Sequence, residues 1–251
     1  MKHPDQAMEH RIRDEQAECY DAHQDRMRTR WFVWARDRVA ALGLRHRLRI
    51  LDAGCGTGSF LSHMCSLRGQ CKVRVGMDFS SESLKVARRR SPGSLLVCGD
   101  VTRLPFCDGC FDGVASLWVL QHIPPELQPL ALSEMARVTR IGGGLALIVY
   151  NASTASRYGR ARGEGRFPSG MYYYTFSAEE LRELLNRQGW KVIAMSGFGV
   201  MRHVCSSFRG GMRIYRMSAR LAWPVEVAIS LHGGSVAARW GEYLYALCVR
   251  S

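Results

Sequence analysis

Ile50-Leu-Asp-Ala-Gly-Cys-Gly-Thr-Gly58 decides the fold. Ile50, Leu51 and Ala53 form a short apolar run of strand character that passes without a spacer into three glycines at alternate positions. Glycine has no Cβ, so a ligand can lie against the backbone there. Ser59 then opens a helical stretch, and a helix N-terminus offers free N–H groups and a favourable field for negative charge. A nucleotide-like ligand is the natural occupant of such a turn. The spacing is G-x-G-x-G, whereas a dinucleotide fingerprint is G-x-G-x-x-G, which ranks an NAD-linked dehydrogenase last among the enzyme readings. A tight turn with no ligand is the competing reading.

Outward from this stretch, strand-like runs alternate with helical ones. The runs at Arg49–Ala53, Val73–Asp78, Leu95–Cys98, Gly113–Leu117 and Leu145–Tyr150 read as strands. Ser59–Arg68, Ser81–Arg90 and Pro125–Thr139 read as helices between them, and the alternation predicts a parallel sheet covered by helices on both faces. Ser177–Gln188 is expected as a further helix with Ser177 as N-cap, followed by strands at Lys191–Met195 and Glu242–Val249. Upstream, residues 8–28 are charged and predict an exposed helix, and Phe32, Ala35, Val39 and Leu42 recur at helical spacing.

Two strand ends carry acidic residues. Asp78 follows Gly58 by 20 residues, where a carboxylate can accept hydrogen bonds from ribose hydroxyls; a helix N-cap is the alternative. Asp100 and Val101 close the third run, a pairing that suits an adenine: a polar group for the amino function and an apolar side chain for the ring.

With these residues in place the chain resembles a class I methyltransferase of the family that includes the ubiquinone and menaquinone C-methyltransferases. The likeness spans about Tyr20 to Trp190 and rests on LDAGCGTG, GMDFS, CGD with Val101, LPFCDGCFD, SLWVLQHIPP and RIGGGLALIVYN. The resemblance implies S-adenosyl-L-methionine as cofactor. It implies binding by Asp52, Gly54, Cys55, Gly56 and Gly58 of the glycine turn, Asp78 and Phe79 at the ribose, Asp100 and Val101 at the adenine, and Leu117 after the fourth strand. Leu104-Pro-Phe106 with Phe111-Asp112 matches a motif read as structural. Cys107 and Cys110 stand where the family carries a polar or acidic residue and a Ser or Thr. His122 lies at the mouth where an acceptor should sit; it is a candidate base, with loop orientation as its other role. Tyr20 resembles a tyrosine that closes over the cofactor in relatives, with a surface position as the alternative. The expected architecture is a Rossmann-like, doubly wound sheet of seven strands, mostly parallel, with the last strand antiparallel and helical lid insertions. One domain is expected, with a cap over 1–48, a cofactor core over 49–151, and substrate-side insertions with the last two strands over 152–251.

Composition limits the remaining classes. A hydrophobic fraction of 47% with 23% charged residues suits a globular chain. No apolar run is long enough to span a bilayer, and the polar start lacks a signal-peptide core, so a cytoplasmic protein without membrane insertion is expected. The nine cysteines are irregularly spaced and Cys107/Cys110 form the single CxxC, which predicts reduced thiols and no metal site. The net charge is +13; residues 152–251 hold 14 basic and 6 acidic side chains and carry most of the excess. Arg157, Arg160, Arg162 and Arg166 precede Met171-Tyr-Tyr-Tyr174, and Arg209, Arg213, Arg216 and Arg220 share a helix face at spacings of 4, 3 and 4. Three readings compete for this basic, aromatic roof: a grip on RNA, an amphipathic helix on a membrane surface, and a lid over a small-molecule pocket with a solvated Arg face. The lid is preferred, because no RNA-binding motif is present. A short likeness to wobble-uridine tRNA methyltransferases, at Tyr20-Asp with Thr29-Arg30 and at Tyr172-Tyr-Tyr with Glu180-Leu, keeps an RNA methyltransferase as the alternative. A catalytically silent methyltransferase-fold partner is a third reading. Against it stands the joint presence of the glycine turn, Asp78 and Asp100. The acceptor is expected to be a small, apolar or aromatic molecule methylated on O, N or C.

Overall fold

The computed structural model describes residues 4–20, 30–66, 71–207 and 211–251. Helices α1 (Pro4–Gln16) and α2 (Arg30–Gly43) precede an alternating series: β1 (Arg49–Ala53), α3 (Ser59–Ser66), β2 (Val73–Asp78), α4 (Ser81–Arg90), β3 (Leu95–Cys98), β4 (Phe111–Leu117), α5 (Gln128–Val138) and β5 (Thr139–Tyr150). A two-stranded hairpin, β6 (Gly163–Arg166) and β7 (Tyr172–Thr175), follows, then α6 (Ala178–Arg187) and β8 (Trp190–Phe198). Three helices, α7 (Val200–Ser206), α8 (Gly211–His232) and α9 (Gly234–Trp240), lead to β9 (Tyr243–Arg250).

Seven strands form one sheet in the order β3-β2-β1-β4-β5-β9-β8. β1 pairs in parallel with both β2 and β4, and β9 runs antiparallel to both β5 and β8. The strand order reverses direction at β1/β4, and in doubly wound sheets ligands bind in the crevice outside the carboxyl ends of the strands at that point. Every residue of β4 is buried, because helices cover both faces. Alternate side chains serve the two layers. Leu51 and Ala53 pack with α5 and α6 residues such as Met135 and Leu181, while Ile50 packs with Phe32, Phe60 and Tyr215 from α2, α3 and α8.

The local chemistry explains the element ends. Ser80 caps α4 by accepting from the Ser83 N–H, and α6 begins with a capping box in which Ser177 and Glu180 exchange side-chain-to-backbone bonds. Phe106 meets Phe111 edge-on at 5.1 Å. Asp112 accepts from the Arg49 guanidinium at 3.1 Å, from the Arg140 guanidinium at 2.8 Å and from the Arg49 backbone N–H at 2.9 Å, and these pairs hold its carboxyl well below the usual carboxylate range. That gives Leu104–Phe106 and Phe111–Asp112 the structural part expected of them.

Three expectations need correction. The helix in the charged N-terminal stretch spans Pro4–Gln16 and is exposed on one side only, since Glu9 and Ile12 are buried; residues 21–28 of the expected stretch lie outside the described residues. Of the two insertions expected as helical lids, the second is helical and the first is not: after a 3-10 turn over Ala152–Tyr158 it folds as the β6–β7 hairpin. Tyr172-Tyr-Tyr-Thr175 is a run of good strand formers bounded by Gly170, which is a legible strand signal; Gly163-Glu-Gly-Arg166 has no apolar alternation and pairs only because a partner is at hand. The four arginines of the first insertion do not act together either, since Arg160 is buried whereas Arg157, Arg162 and Arg166 are exposed. In the second insertion, Arg209 and the side chains of Arg216 and Arg220 lie outside the described residues.

Candidate cofactor and acceptor site

A cavity of about 560 Å³ opens at the carboxyl ends of β1, β2 and β4 and over the turn after β3. Its floor is the glycine turn. Gly54 and Gly56 adopt φ of +83° and +50°, the left-handed region that glycine enters freely. A Cβ on Gly54 would stand 2.3 Å from the Val119 side chain, whereas one on Gly56 would meet nothing within 4 Å, so Gly56 presents open backbone to the cavity. The N–H groups of Gly54 and Cys55 both donate to the Met77 carbonyl, at 2.8 and 2.9 Å, and lock the turn to β2. Gly58 is elsewhere: it does not line the cavity, and a Cβ there would lie 2.9 Å from the Cβ of Ala87 in α4. Its part is close helix packing, a correction to its place among the ligand-facing residues. Cys55 does line the cavity, but its side chain packs with Leu61 and Leu84 and burial pushes its thiol well up, so backbone is what it can offer a ligand.

Asp78 ends β2 at the cavity wall. It accepts from the Gly56 N–H at 2.8 Å and the Ser80 N–H at 2.9 Å. Burial raises its pKa and those two N–H groups oppose the rise. A carboxylate has about four acceptor sites, so two remain for a diol such as ribose. Asp100 and Val101 lie beyond it with Phe79; one Asp100 oxygen accepts from both the N–H and the hydroxyl of Thr102, at 2.9 and 2.8 Å, which fixes the loop. Leu117 and His122 line the opposite side.

At the other end, Asp52 is fully enclosed. Its Oδ2 has no hydrogen-bond partner among the described residues. Burial pushes the carboxyl up to about 8; the Arg36 guanidinium opposes this, and the neighbouring Asp37 and Asp78 add to it. A buried acid facing two other carboxylates is a site for a cation, since a positive group would repay the cost of ionising it. Arg36 donates to Asp37 at 2.8 and 2.5 Å and lies over the Trp118 ring at 4.3 Å, and Asp37 also accepts from the Ser59 hydroxyl at 2.6 Å.

Sequence reasoning missed several wall residues. Arg36 and Asp37 sit on α2, where an apolar period announced only packing. Trp118 takes φ +65°, a costly conformation for a bulky side chain, and its N–H still donates to the Ile148 carbonyl at 2.9 Å. Glu9, His10 and Arg13 come from α1, with the His10 ring 5.3 Å from Phe79 and Asp14 accepting from the Ser80 hydroxyl at 2.6 Å. Tyr20 lines the cavity as well; Asp21 and Thr29, which shared the tRNA-methyltransferase likeness with it, lie outside the described residues.

A doubly wound sheet with a glycine turn, acidic residues after two successive strands and an anionic recess at the far end makes a cavity that suits a nucleoside-like cofactor with a cationic tail. Comparison with known proteins sharpens this. Residues 51–147 match the family described as a methyltransferase domain. The chain is 39% identical over 119 residues to a demethylmenaquinone methyltransferase of Beutenbergia cavernae, covering 47% of this chain and 48% of that one. It is 30% identical over 201 residues to the demethylmenaquinone methyltransferase of Streptomyces avermitilis, covering 72% and 85%. It thus spans about half the length of several curated relatives and most of the Streptomyces protein. In fold it is similar to 1,6-didemethyltoxoflavin-N1-methyltransferase of Burkholderia thailandensis, solved with S-adenosylhomocysteine bound, at a TM-score of 0.63 and 16% identity over 100% of this chain and 92% of that one. The chain belongs to the class I S-adenosylmethionine-dependent methyltransferases. The residues fit the cofactor: open backbone at Gly56, a carboxylate at Asp78 with acceptor positions to spare and the orphaned Asp52 oxygen offer it three different kinds of contact.

Proposed function

We propose that this chain transfers the methyl group of S-adenosylmethionine to an O, N or C atom of a small, planar aromatic acceptor. The observation that carries the acceptor class is the apolar and aromatic part of the cavity lining, which includes Val33, Trp34, Phe60, Trp118, Val119 and Ile123. Such a wall takes a flat apolar ring, and aromatic side chains bind rings through offset and edge contacts. Relatives with the name demethylmenaquinone methyltransferase support a ring system of that kind.

Bound S-adenosylmethionine supplies an electrophilic methyl group. The residues of the chain do the positioning, which by itself accounts for much of the rate of an in-line displacement. Asp78 holds the ribose hydroxyls, and Asp100 with Val101 and Phe79 hold the adenine. Asp52 takes the ammonium group of the methionine tail and Arg36 its carboxylate. Gly54, Gly56 and Leu117 let backbone lie along the tail.

The test is calorimetric titration with S-adenosylhomocysteine, with NAD as control, followed by transfer of labelled methyl to a panel of short-chain demethylmenaquinol, phenols, aromatic amines and bulk tRNA. Micromolar binding of S-adenosylhomocysteine without NAD binding, and label in an aromatic acceptor, is the expected result. Label in tRNA alone would replace this reading with the RNA alternative, and binding of neither cofactor would bring the silent-partner reading forward.

A further inference from the structure

The acceptor side of the cavity contains a pair that cofactor binding does not use. His122 sits in a 3-10 turn, Leu120–His122, just after β4. Its Nδ1 lies 2.9 Å from the Tyr172 carbonyl oxygen in β7. A carbonyl only accepts, so Nδ1 carries the hydrogen and the neutral ring keeps its lone pair on Nε2. The Gln121 amide lies 3.4 Å from Nε2, a long hydrogen bond to that lone pair which an acceptor proton would displace. Tyr150 and Phe167 flank the ring at 5.8 and 6.5 Å between centroids and fix its plane. Behind it, Glu9 of α1 brings Oε2 to 3.9 Å from Nδ1. Glu9 is 5% exposed, its Oε1 is held by Arg13 at 2.8 Å, and its Oε2 has no hydrogen-bond partner among the described residues.

This arrangement is wasteful for a histidine that only orients a loop. The Tyr172 carbonyl already satisfies the one N–H of the neutral ring, so the buried Glu9 carboxylate adds nothing to that state. It becomes favourable when the ring gains a second proton and a positive charge. Burial favours the neutral ring; Glu9 and the Tyr172 carbonyl work the other way, and Arg13 and Arg160 work with burial. A base kept neutral, with a carboxylate set to receive its charge, is the pattern of a group that takes up a proton transiently.

We propose that His122 is the general base of this site, that Glu9 is its positioning residue, and that the acceptor is a phenol or enol. This rests on the methyltransferase reading given above and adds the proton to it. The acceptor O–H bond breaks, its proton bonds to Nε2, and its electron pair attacks the methyl carbon either from oxygen or through the conjugated ring from carbon. The carbon–sulfur bond breaks with its pair left on sulfur, and the imidazolium later gives its proton to water. An amine acceptor would not need this pair, because a neutral amine attacks first and sheds its proton afterwards.

The test uses the full chain saturated with S-adenosylhomocysteine, labelled at histidine with ¹⁵N. The expected neutral His122 is the Nδ1–H tautomer, and Glu9→Gln lowers its titration midpoint by about one pH unit, tenfold in proton affinity. With 4-nitrophenol as the probe, the bound phenol is expected in its coloured, ionised form at a pH where the free probe is neutral. His122→Asn returns it to the neutral form. An Nε2–H tautomer, a midpoint unmoved by Glu9→Gln, or a probe that binds neutral or does not bind overturns the proposal. Absence of S-adenosylhomocysteine binding to the unmodified chain overturns the methyltransferase reading itself, which keeps the two failures apart.

Discussion

The two halves of the cavity are built from different materials. The cofactor half is built mainly from one run, residues 50 to 101, joined by Arg36 and Leu117, and in that run backbone meets backbone: two N–H groups of the turn bind one carbonyl of β2, and Asp78 clamps Gly56. The acceptor half is assembled from side chains on α1, α2, α3 and the turn after β4, which are far apart in sequence, with the β6–β7 hairpin packed behind His122. There, polar contacts bridge the pieces, such as Asp5 with Arg166 and His122 with the Tyr172 carbonyl. The first half is fixed by sheet formation itself, and the second depends on long-range pairs that can be exchanged without unmaking the sheet. A fold of this kind can keep one cofactor while its acceptor changes.

If that division holds, substitutions in the cofactor half abolish binding and those in the acceptor half leave it alone. Gly56→Arg has the largest expected effect. The left-handed backbone costs about 1–2 kcal/mol with a side chain present, too little to unfold the domain, but the new side chain enters the cavity. Loss of S-adenosylhomocysteine affinity by roughly 100-fold, about 2.7 kcal/mol, with an unchanged far-ultraviolet spectrum is expected in calorimetry. Asp78→Ala removes both the diol acceptor and the clamp on Gly56; affinity should fall by roughly 30-fold, about 2 kcal/mol. An Asp78→Ala protein that binds as tightly as the parent would move the ribose elsewhere.

Asp52→Asn separates binding from stability. With the folded carboxyl at about 8 and an unfolded value near 3.9, the folded state holds the proton longer, so stability is lost as pH rises between those values. The asparagine chain lacks this loss. Without ligand its Tm should match the parent near pH 4 and exceed it by roughly 10 °C near pH 8, while its affinity for S-adenosylhomocysteine drops. Equal melting curves across that range would show Asp52 to be stabilised by a partner that its surroundings do not suggest.

The same division explains which parts of the site are legible in the amino-acid sequence. The glycine turn, Asp78, Asp100 and Val101 can be read as cavity-lining residues because strand, turn and cavity wall follow one another along the chain, and each strand end repeats the pattern. The sheet order and the antiparallel last strand come with the family likeness. Glu9 is not legible: a charged helix with few apolar positions looks solvated, and only tertiary packing against His122 shows that one of its acids is turned inward. Arg36 and Trp118 are hidden in the opposite way, within stretches whose apolar residues draw the reading toward the core. Gly58 looks like a ligand contact by its proximity to the turn, though its close neighbour is Ala87 of α4.

Arg160→Met probes a buried cation outside the cavity lining. Arg160 lies 3.8 Å from the Tyr150 ring centroid and 3.1 Å from a Glu242 oxygen, and Glu242 keeps Arg202 as a second cation. Because Glu242 stays paired, the cost should be about 1–2 kcal/mol rather than that of an abandoned buried charge, or roughly 2–6 °C in Tm. S-adenosylhomocysteine affinity should stay within about twofold.

The smallest expected effect is that of Asp5→Asn, and it is the sharpest test of whether the halves are independent. The Arg166 guanidinium reaches Asp5 at 2.5 Å and ties α1 to the hairpin, but its side chain is 54% exposed. Exposed pairs of this kind are weak and screened by salt. A Tm shift within about 1 °C, shrinking further in high salt, and an unchanged affinity for S-adenosylhomocysteine are expected. α1 also reaches the cofactor half, through Asp14 to Ser80 and His10 to Phe79, so it is an element through which a change at the hairpin can be felt at the ribose end. A clear loss of cofactor affinity in Asp5→Asn would mean that α1 couples the two halves, and that acceptor and cofactor bind with cooperativity rather than side by side.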